Sequence, residues 1–286
     1  MGLKINYDSP VALKNFLDSR GMAMQKKFGQ NFLINSQARK LLVDSLKVEE
    51  NTRVWEVGPG LGCMTSEIVE RGGKLTAFEI DRGFATVLKE IFEGKENFSL
   101  VEGDVLKTWK NYYKENGLPD RFFGNLPYNV AAAIVADMIS EGVRFPRAVV
   151  TVQKEVAMRM AAKPGTEDYS SFSVLCQWAY DITNVTDLSG GCFWPKPNVE
   201  SRSVLMVAKP DFPCCKDTTT FMKVLRAIFV QRRKTIKNNL NGITNSTSET
   251  EEILSKAEID PSIRAEKLEI NTILKLSDVY FDYYKG

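Results

Sequence analysis

The sequence predicts an α/β fold whose core is a parallel β-sheet covered by helices on both faces. Three observations favour this class. Strand-like and helix-like segments alternate from about residue 52 to residue 151, which is the pattern of parallel strands joined by crossover helices. A glycine-rich turn joins the first of these strands to the next helical stretch. The chain of 286 residues is 43% hydrophobic, which is enough for one large domain and a small one.

The first elements precede the sheet. Residues 11–20 are predicted to form a short helix and residues 25–34 a loop. Ser36 is a suitable N-cap for a helix that runs to about Lys47. Five segments with the composition of strands are then predicted to form the sheet: residues 52–57, 74–80, 97–101, 121–123 and 147–152.

The second half of the chain is predicted to be mainly helical. Helical stretches at 154–162 and 172–180 precede strand-like runs at 181–188 and 203–208. The sequence Lys209-Pro210-Asp211-Phe212-Pro213 then interrupts the pattern and indicates a domain boundary. The predicted domains are therefore residues 1–209 and 210–286. Helices in the second are expected at 218–239, 250–257 and 274–284.

The turn after the first sheet strand is Gly58-Pro59-Gly60-Leu61-Gly62. Glycines let the backbone approach a ligand closely, and strand, glycine turn and helix form the opening of a nucleotide-binding unit. The spacing is G-x-G-x-G and not the dinucleotide fingerprint G-x-G-x-x-G, so phosphate binding is not required. By itself the turn is a weak signal, because glycine turns are common.

Polar side chains follow three successive predicted strands. Glu79 lies about twenty residues beyond the glycines, where an acidic side chain can accept hydrogen bonds from both ribose hydroxyls. Asp104 follows the next strand and can accept from an adenine amine, and Asn125 follows the third. Ligands bind at the carboxyl edge of such sheets. Together with the glycine turn, these residues predict a site for an adenosine-containing ligand.

The loop that contains Asn125 continues Leu126-Pro127-Tyr128. The Asn amide and a backbone carbonyl can accept hydrogen bonds from the exocyclic NH2 of a flat ring. Pro127 stiffens the turn, and Tyr128 offers a stacking face. Loops of this composition also occur as ordinary turns, so this loop alone leaves both interpretations open.

Taken together, the motifs resemble those of the KsgA-type ribosomal RNA adenine N6-dimethyltransferases. The matching segments run in order through nearly the whole chain, which makes the resemblance far more specific than any single motif. They are Gln30 to Leu33, Glu56 to Gly62, Glu79, Gly103-Asp104, Asn125 to Tyr128, Gln153 to Ala157, Phe193 to Ser201 and Arg232 to Thr235.

The resemblance implies a class I methyltransferase fold, a mostly parallel seven-stranded sheet with one antiparallel strand, followed by a small helical domain. It implies S-adenosylmethionine as the cofactor. The implied reaction is dimethylation of two adjacent adenosines near the 3′ end of small-subunit rRNA, in a pre-ribosomal small subunit. Glu79 would bind the ribose of the cofactor and Asp104 its adenine amine. Other implied cofactor contacts are Gln30, Asn31, Leu33, Gly58, Gly60 and Asn125.

The implied chemistry follows from the weakness of the adenine amine as a nucleophile, since its lone pair is delocalised into the ring. Acceptors on Asn125 and on the carbonyl of Leu126 or Pro127 would favour a tetrahedral nitrogen. Positioning and electrostatics would then suffice without a strong base. Tyr128 would stack on a flipped-out or single-stranded base, and Phe193 would cover its other face. Packing is the alternative role for Leu33 and Phe193.

Composition excludes several other classes of enzyme. The chain has no His, which excludes Ser-His-Asp hydrolysis, Cys-His proteolysis and His-bound zinc. Its five cysteines form no C-x-x-C pair, so we expect free thiols in a reducing cytoplasm and no metal site. We expect no signal peptide and no membrane span, because no apolar run is long enough. A monomer is expected.

The net charge is only +2, so a surface that binds nucleic acid must be local. The densest basic cluster is Arg232, Arg233 and Lys234, with Lys237 close behind. We expect these residues to lie on a helix and to contact RNA phosphates. Lys26, Lys27, Lys154 and Arg159 are weaker candidates.

Two alternatives remain open on the sequence alone. The protein could be a related methylase that acts on large-subunit rRNA or on DNA adenine, although the Phe193-to-Ser201 and Arg232-to-Thr235 motifs favour the small subunit. It could also be mainly a non-catalytic factor in small-subunit assembly. The presence of Glu79, Asp104 and the Asn-Leu-Pro-Tyr loop argues against lost catalysis, but not against a second role.

Overall fold

A computed structural model of the chain describes residues 3–24 and 30–285. Its strands are β1 Phe32–Leu33, β2 Arg53–Val57, β3 Lys74–Glu79, β4 Phe98–Glu102, β5 Arg121–Asn125, β6 Arg147–Gln153, β7 Tyr180–Leu188, β8 Phe193–Trp194 and β9 Ser201–Ala208. The helices are α1 Pro10–Ser19, α2 Ser36–Leu46, α3 Cys63–Glu70, α4 Arg82–Ile91, α5 Val105–Asn116, α6 Ala131–Ser140, α7 Lys154–Met160, α8 Ser171–Ala179, α9 Thr218–Ile228, α10 Ile236–Leu240, α11 Thr247–Lys256 and α12 Ile270–Lys285.

Seven strands form one sheet in the order β4-β3-β2-β5-β6-β9-β7. The five strands from β4 to β6 pair in parallel, whereas β9 is antiparallel to β6. This mostly parallel, seven-stranded sheet confirms the predicted fold class. Because β2, β3 and β5 are aligned in register, the glycine turn, Glu79 and the Asn125 loop all follow strands that end at the same edge.

The sheet is buried between helices, and its central strands are apolar. In β6 the five residues between Arg147 and Gln153 are all buried, as is typical of a strand covered on both faces. Val54 and Leu75 of neighbouring strands pack with Leu42 and Ile68 of α2 and α3 in one cluster. Each fully buried aliphatic side chain of this kind stabilises the fold by roughly 1.5–3 kcal/mol.

Helix α1 packs against Phe32 of strand β1. Its buried face, Leu13 and Leu17, lies in a cluster with Phe32 and Phe84. Ser9 caps the helix through a hydrogen bond from the Ala12 N–H, and the first helical residue is a proline, which needs no donor there. Helix α1 therefore supports Phe32, the first residue of β1.

Helix α2 begins one residue away from the predicted cap. Asn35, and not Ser36, is its N-cap: the backbone there is extended, and the Asn35 side chain accepts from the Ala38 N–H at 2.8 Å. Ser36 is the first helical residue. Both residue types are good N-caps, so sequence alone did not decide between them.

A second correction concerns residues 218–239, which were predicted to form one helix. Helix α9 ends at Ile228 and α10 begins at Ile236. The Asn239 amide donates to the carbonyls of Ile228 and Gln231 at 2.9 and 3.1 Å, and Thr235 caps α10. These bonds satisfy groups that a continuous helix would have paired, so residues 229–235 form a turn.

The chain divides into two compact units. The first comprises Met1–Asp137, Val143–Ala157 and Ile182–Ala208, and the second Met138–Gly142, Met158–Asp181 and Lys209–Gly286. The second unit contains α8 to α12, with Trp178 of α8 packed on Phe221 of α9. We predicted one boundary at 209–210, and the contribution of earlier segments to the second unit was not anticipated, because those segments are local helices whose packing partners lie far along the chain.

Three expectations about composition can be compared with the described residues. All five cysteines are free thiols. Within residues 3–24 and 30–285, no helix has both the length and the apolar character needed to cross a membrane. Over the same residues, no group of three or more acidic or cysteine side chains is arranged to hold a metal ion.

Candidate active site

A cavity of about 270 Å³ opens at the edge where β2 to β5 end. Most of the residues that we selected from the sequence line it. From the cofactor set these are Gln30, Asn31, Gly58, Gly60, Glu79, Asp104 and Asn125, and from the catalytic set Leu126, Pro127 and Tyr128. The cavity lies entirely in the first unit. Leu33 and Phe193 are the two exceptions.

The glycine turn forms one side of the cavity because its backbone adopts conformations that other residues avoid. Gly58 and Gly60 have φ of 71° and 58°, in the left-handed region that favours glycine. A Cβ at Gly60 would lie 2.9 Å from Cε1 of Phe32. Gly60 therefore needs to be glycine for two reasons, its backbone angle and its close contact with the aromatic wall.

Glu79 stands at the end of β3 and is almost fully buried. Its two carboxylate oxygens accept from the N–H of Gly60 at 3.1 Å and from the N–H of Asp81 at 2.8 Å. Burial raises the pKa of Glu79 to about 7, and the two backbone hydrogen bonds oppose this rise. The carboxyl is thus held between the glycine turn and the turn after β3.

Glu56 is a second buried carboxyl on the cavity, and the sequence pattern alone did not assign it a role. It is 1% exposed and accepts a hydrogen bond from the Thr65 hydroxyl at 2.7 Å. Burial raises the pKa of Glu56 to about 8, with a smaller contribution from the charge of Glu79. A glutamate inside an otherwise apolar strand was the signal that could have identified it.

Asp104 has a structural role as well as its predicted one. It is the N-cap of α5 and accepts from the Leu106 N–H at 3.1 Å. A carboxylate has about four acceptor positions, so capping does not prevent a ligand contact. Ile80 lies beside the acidic residues and is 43% exposed although it lies on the cavity wall. This apolar surface was also missed, since an Ile at a strand end is expected to be buried.

The orientation of the Asn125 amide is fixed by a hydrogen bond. Its nitrogen Nδ2 donates to the backbone carbonyl of Asn31 at 3.0 Å. An amide nitrogen can only donate and a carbonyl can only accept, so this bond assigns the two ends of the side chain. The oxygen Oδ1 is therefore the end that can accept from a ligand in the cavity.

The backbone hydrogen bonds of the loop distinguish the Leu126 carbonyl from the Pro127 carbonyl. The sequence could not decide which of the two is the better acceptor. The Pro127 carbonyl accepts from the N–H groups of both Val130 and Ala131 at 3.0 Å, which uses its two lone pairs. The Leu126 N–H donates to the Thr151 carbonyl at 3.1 Å, which ties the loop to β6. Of the two candidates, the Leu126 carbonyl is therefore the better acceptor for a substrate amine.

Tyr128 is half-buried at the rim of the cavity. Its hydroxyl shares a hydrogen bond of 2.5 Å with the hydroxyl of Ser201 in β9. Burial raises the pKa of Tyr128, so the phenol is neutral at physiological pH. Tyr128 can therefore offer a ligand an aromatic ring but no charge.

Leu33 and Phe193 do not line the cavity. They pair with each other across the antiparallel strands β1 and β8, and both lie in the buried core at 1% and 3% exposure. Residues 193–198 were predicted to be a loop, but residues 193 and 194 form β8, which directs the Phe193 ring into the core. The packing alternative is therefore what the structure shows for both residues, and Phe193 does not present a face to a base.

The basic cluster lies in the second unit and is not uniform. Arg232 is exposed but already paired: its guanidinium donates to Glu266 at 2.7 Å and to the carbonyl of Glu167. Arg233 and Lys234 are exposed in the turn between α9 and α10. The expectation of a helix here is wrong, because these residues lie between α9 and α10.

The weaker basic candidates are mostly engaged within the protein. Lys154 forms ion pairs with Glu200 and Asp187 at 2.6 and 3.4 Å. Lys237 pairs with Glu251, and Arg159 lies over the ring of Phe172 at 5.8 Å. Lys26 and Lys27 lie outside the described residues. Arg233 and Lys234 thus remain the clearest candidates for phosphate contacts.

The mostly parallel seven-stranded sheet, the glycine turn, the acidic strand end and the Asn-Leu-Pro-Tyr loop together define a class I methyltransferase. Comparisons with known proteins give the family. Residues 21–282 match the family model described as ribosomal RNA adenine dimethylase, and the chain belongs to this family. It is therefore an enzyme of the rRNA adenine dimethyltransferase class.

Individual relatives agree over nearly the full length. The chain is 48% identical to the ribosomal RNA small subunit methyltransferase A of Treponema denticola, over 96% of this chain and 95% of that protein. It is 37% identical to the protein of the same name from Borreliella afzelii, over 99% and 98%. A crystal structure of a dimethyladenosine transferase from Plasmodium falciparum has the same fold, with a TM-score of 0.74 at 24% identity, covering 87% of this chain and 96% of that one.

Proposed function

We propose that the cavity binds S-adenosylmethionine and that the protein dimethylates N6 of two adjacent adenosines near the 3′ end of small-subunit rRNA, during ribosome biogenesis. The observation that carries this proposal is the meeting of Glu79, the glycine turn and Asn125 in one cavity. The names of the relatives at 48% and 37% identity support the small subunit as the substrate.

The described residues fit this cofactor. Glu79 can accept from the ribose hydroxyls once it is ionised, and the apolar surface of Ile80 suits the face of an adenine ring. Gly58 and Gly60 let the backbone approach the methionine end, beside Asn31. When bound, the cofactor supplies a methyl group on a sulfonium, which is already a strong methyl donor.

The residues of the chain then act on the target amine. The Oδ1 atom of Asn125 and the carbonyl of Leu126 accept its two N–H groups, and this favours a tetrahedral nitrogen whose lone pair can attack. Asn31 holds the Asn125 amide in the required orientation. This is positioning and electrostatic stabilisation, and no strong base is needed. The proton leaves after the methyl group is transferred.

Tyr128 stacks on the target base at the rim of the cavity. A base inside a helix cannot reach the cavity, so the target must be single-stranded or flipped out. Stacking of one base on an aromatic side chain is worth about 1–3 kcal/mol. Tyr128→Ala should therefore reduce methylation about fivefold to a hundredfold while small-subunit binding is retained.

Arg233 and Lys234 supply part of the affinity for RNA by contacting phosphates. Their exposure supports this assignment, and Arg232, which is also exposed, is a weaker candidate because its guanidinium pairs with Glu266 and the Glu167 carbonyl. Phosphate contacts are independent of sequence. Choice of the target adenines therefore belongs to the shape of the RNA and to the cavity.

The proposal is tested by methylation of three substrates: unmethylated small subunits, large subunits and DNA. We expect radiolabelled methyl groups only in the small subunits. Preferential labelling of large subunits or DNA would contradict the proposed substrate. If the Asn125→Ala variant binds small subunits and restores normal assembly in cells that lack the protein, the main role would be that of an assembly factor.

A further inference from the structure

Two buried serines lie two residues apart in β9, so their side chains are on the same face of the sheet. Ser201 and Ser203 are both fully buried. The Ser203 hydroxyl pairs with the Thr151 hydroxyl of the neighbouring strand at 2.6 Å. The Ser201 hydroxyl instead pairs with the Tyr128 hydroxyl at 2.5 Å. One serine therefore joins two strands of the sheet, and the other joins the sheet to the catalytic loop.

The position of Ser201 is fixed from both sides. Its backbone pairs with Gln153 in the β6–β9 register. The residues before and after Ser201 form ion pairs. Glu200 pairs with Lys154 at 2.6 Å, and Arg202 pairs with Asp187 at 2.5 Å. Lys154 also reaches Asp187 at 3.4 Å, which closes the network. The Ser201 hydroxyl thus sits on a rigid support.

Tyr128 lies in the turn between β5 and α6, outside the strands and helices of the first unit. A tyrosine ring is oriented by two side-chain torsions, and a bond at the far end of the ring restricts both. Because Ser201 takes up the hydroxyl, the ring itself is what remains for a ligand. Fixing the ring before the substrate arrives removes an entropic cost of binding.

We propose that Ser201 is a positioning residue for methyl transfer, which holds the Tyr128 ring in the orientation that receives the target base. This inference rests on the proposed stacking role of Tyr128. Ser201 itself touches neither the base nor the cofactor, and it acts only through the tyrosine.

The test is a double-mutant cycle of Ser201→Ala and Tyr128→Phe, assayed by kcat/KM for methylation of unmethylated small subunits. Each single change removes the same hydrogen bond, so each should lower kcat/KM about three- to tenfold. The double variant should be no worse than the worse single variant. Cofactor affinity, measured by calorimetry, should stay unchanged. Ser201→Thr keeps a hydroxyl and should restore most of the activity.

Ser203→Ala is the matched control, since it removes a buried hydroxyl from the same face of the same strand. It should lower the melting temperature about as much as Ser201→Ala while kcat/KM of the folded protein stays at the wild-type value. Equal losses of kcat/KM in both serine variants would reduce Ser201 to a structural residue and overturn the inference. So would independent, additive losses in the cycle, or full activity of Ser201→Ala.

The proposed stacking role has its own test. If Tyr128→Ala has full activity, stacking by Tyr128 is wrong and the inference fails with it. If Tyr128→Ala is impaired but Ser201→Ala is not, only the positioning role of Ser201 fails.

Discussion

The cavity edge of the first unit and the basic turn of the second unit differ in how far their polar groups are exposed to water. At the cavity edge the carboxyl of Glu79 is nearly fully buried and the amide of Asn125 is held by a backbone partner. In the turn, Arg233 and Lys234 are exposed to water. Electrostatic interactions are strong in a buried site and are screened by salt at an exposed one. We therefore expect the cavity to determine chemistry and the turn to determine salt-dependent affinity.

Asn125→Ala should have the largest effect, and that effect should appear in turnover. It removes an acceptor for the target amine, and loss of one preorganised hydrogen-bonding group of this kind costs about 10²–10³ in rate. Single-turnover methyl transfer at saturating small subunits measures this. Asn125→Asp keeps acceptor oxygens but loses the donor to Asn31, so its rate should lie between those of the wild type and of Asn125→Ala. A wild-type rate for Asn125→Ala would refute the mechanism.

Glu79→Ala should act on cofactor binding. A hydrogen bond to a charged group is worth about 1.5–3 kcal/mol, so affinity should fall about tenfold to a hundredfold. The matched control is Glu102→Ala, which removes the exposed glutamate that pairs with Glu79 in the β3–β4 register. Calorimetry should give a wild-type dissociation constant for this control. Unchanged affinity in folded Glu79→Ala would remove Glu79 from the site.

The pKa of Glu79 adds a pH dependence to the same measurement. Because burial raises this pKa to about 7, the carboxyl is increasingly protonated as the pH falls from about 8 to about 6. Cofactor affinity should weaken over this range, since the protonated form loses the charged acceptor. Glu79→Gln should bind more weakly at the upper end of the range and with little dependence on pH. An equal pH dependence in both proteins would assign the titration to another group.

Changes in the basic turn should be smaller and should appear in the salt dependence. Replacing Arg233 and Lys234 by Ala should weaken small-subunit binding and reduce the slope of log K against log salt by about 0.7–0.9 per lost phosphate contact. Arg232→Ala should change the slope less, because its guanidinium already pairs with Glu266 and with the carbonyl of Glu167. If only Arg232→Ala altered the slope, the two roles would have to be exchanged.

A separate prediction concerns the pH dependence of stability. Burial raises the pKa of Glu56 in the folded protein to about 8, above its ordinary value of 4.5. The folded state then holds a proton that the unfolded state releases, so stability falls as the pH rises from about 5 through about 8. Glu56→Gln cannot titrate, and its melting temperature without cofactor should fall less over this range. An identical slope in both proteins would contradict the raised pKa.

The cavity edge could be predicted from the sequence better than the basic turn, and the reason is physical. Strand periodicity and turn residues are local signals, and parallel strands bring their ends together by rule. Glu79, Asp104 and Asn125 could therefore be placed in one site from the sequence alone. Ile80 was missed because its exposure depends on the shape of the cavity, which local pattern does not encode. Glu56 was missed although its place in a mostly apolar strand was a local signal.

The remaining errors all involve contacts between distant residues. The break between α9 and α10 depends on the Asn239 side chain, and Arg232 pairs with the distant Glu266 and with the carbonyl of Glu167. The burial of Phe193 depends on pairing with Leu33 in a strand of two residues. Propensity and periodicity contain no information on such pairings, so a helix and an open aromatic were predicted.

The proposed reaction is methyl transfer to the N6 amine of adjacent adenosines in small-subunit rRNA. The most direct test is methyl transfer to unmethylated small subunits, followed by nucleoside analysis of the 3′ end of the rRNA. We predict N6,N6-dimethyladenosine at two neighbouring positions. Two results would contradict the proposed reaction. One is methylation of another nucleoside or another atom, and the other is no methylation by a folded protein that binds the cofactor.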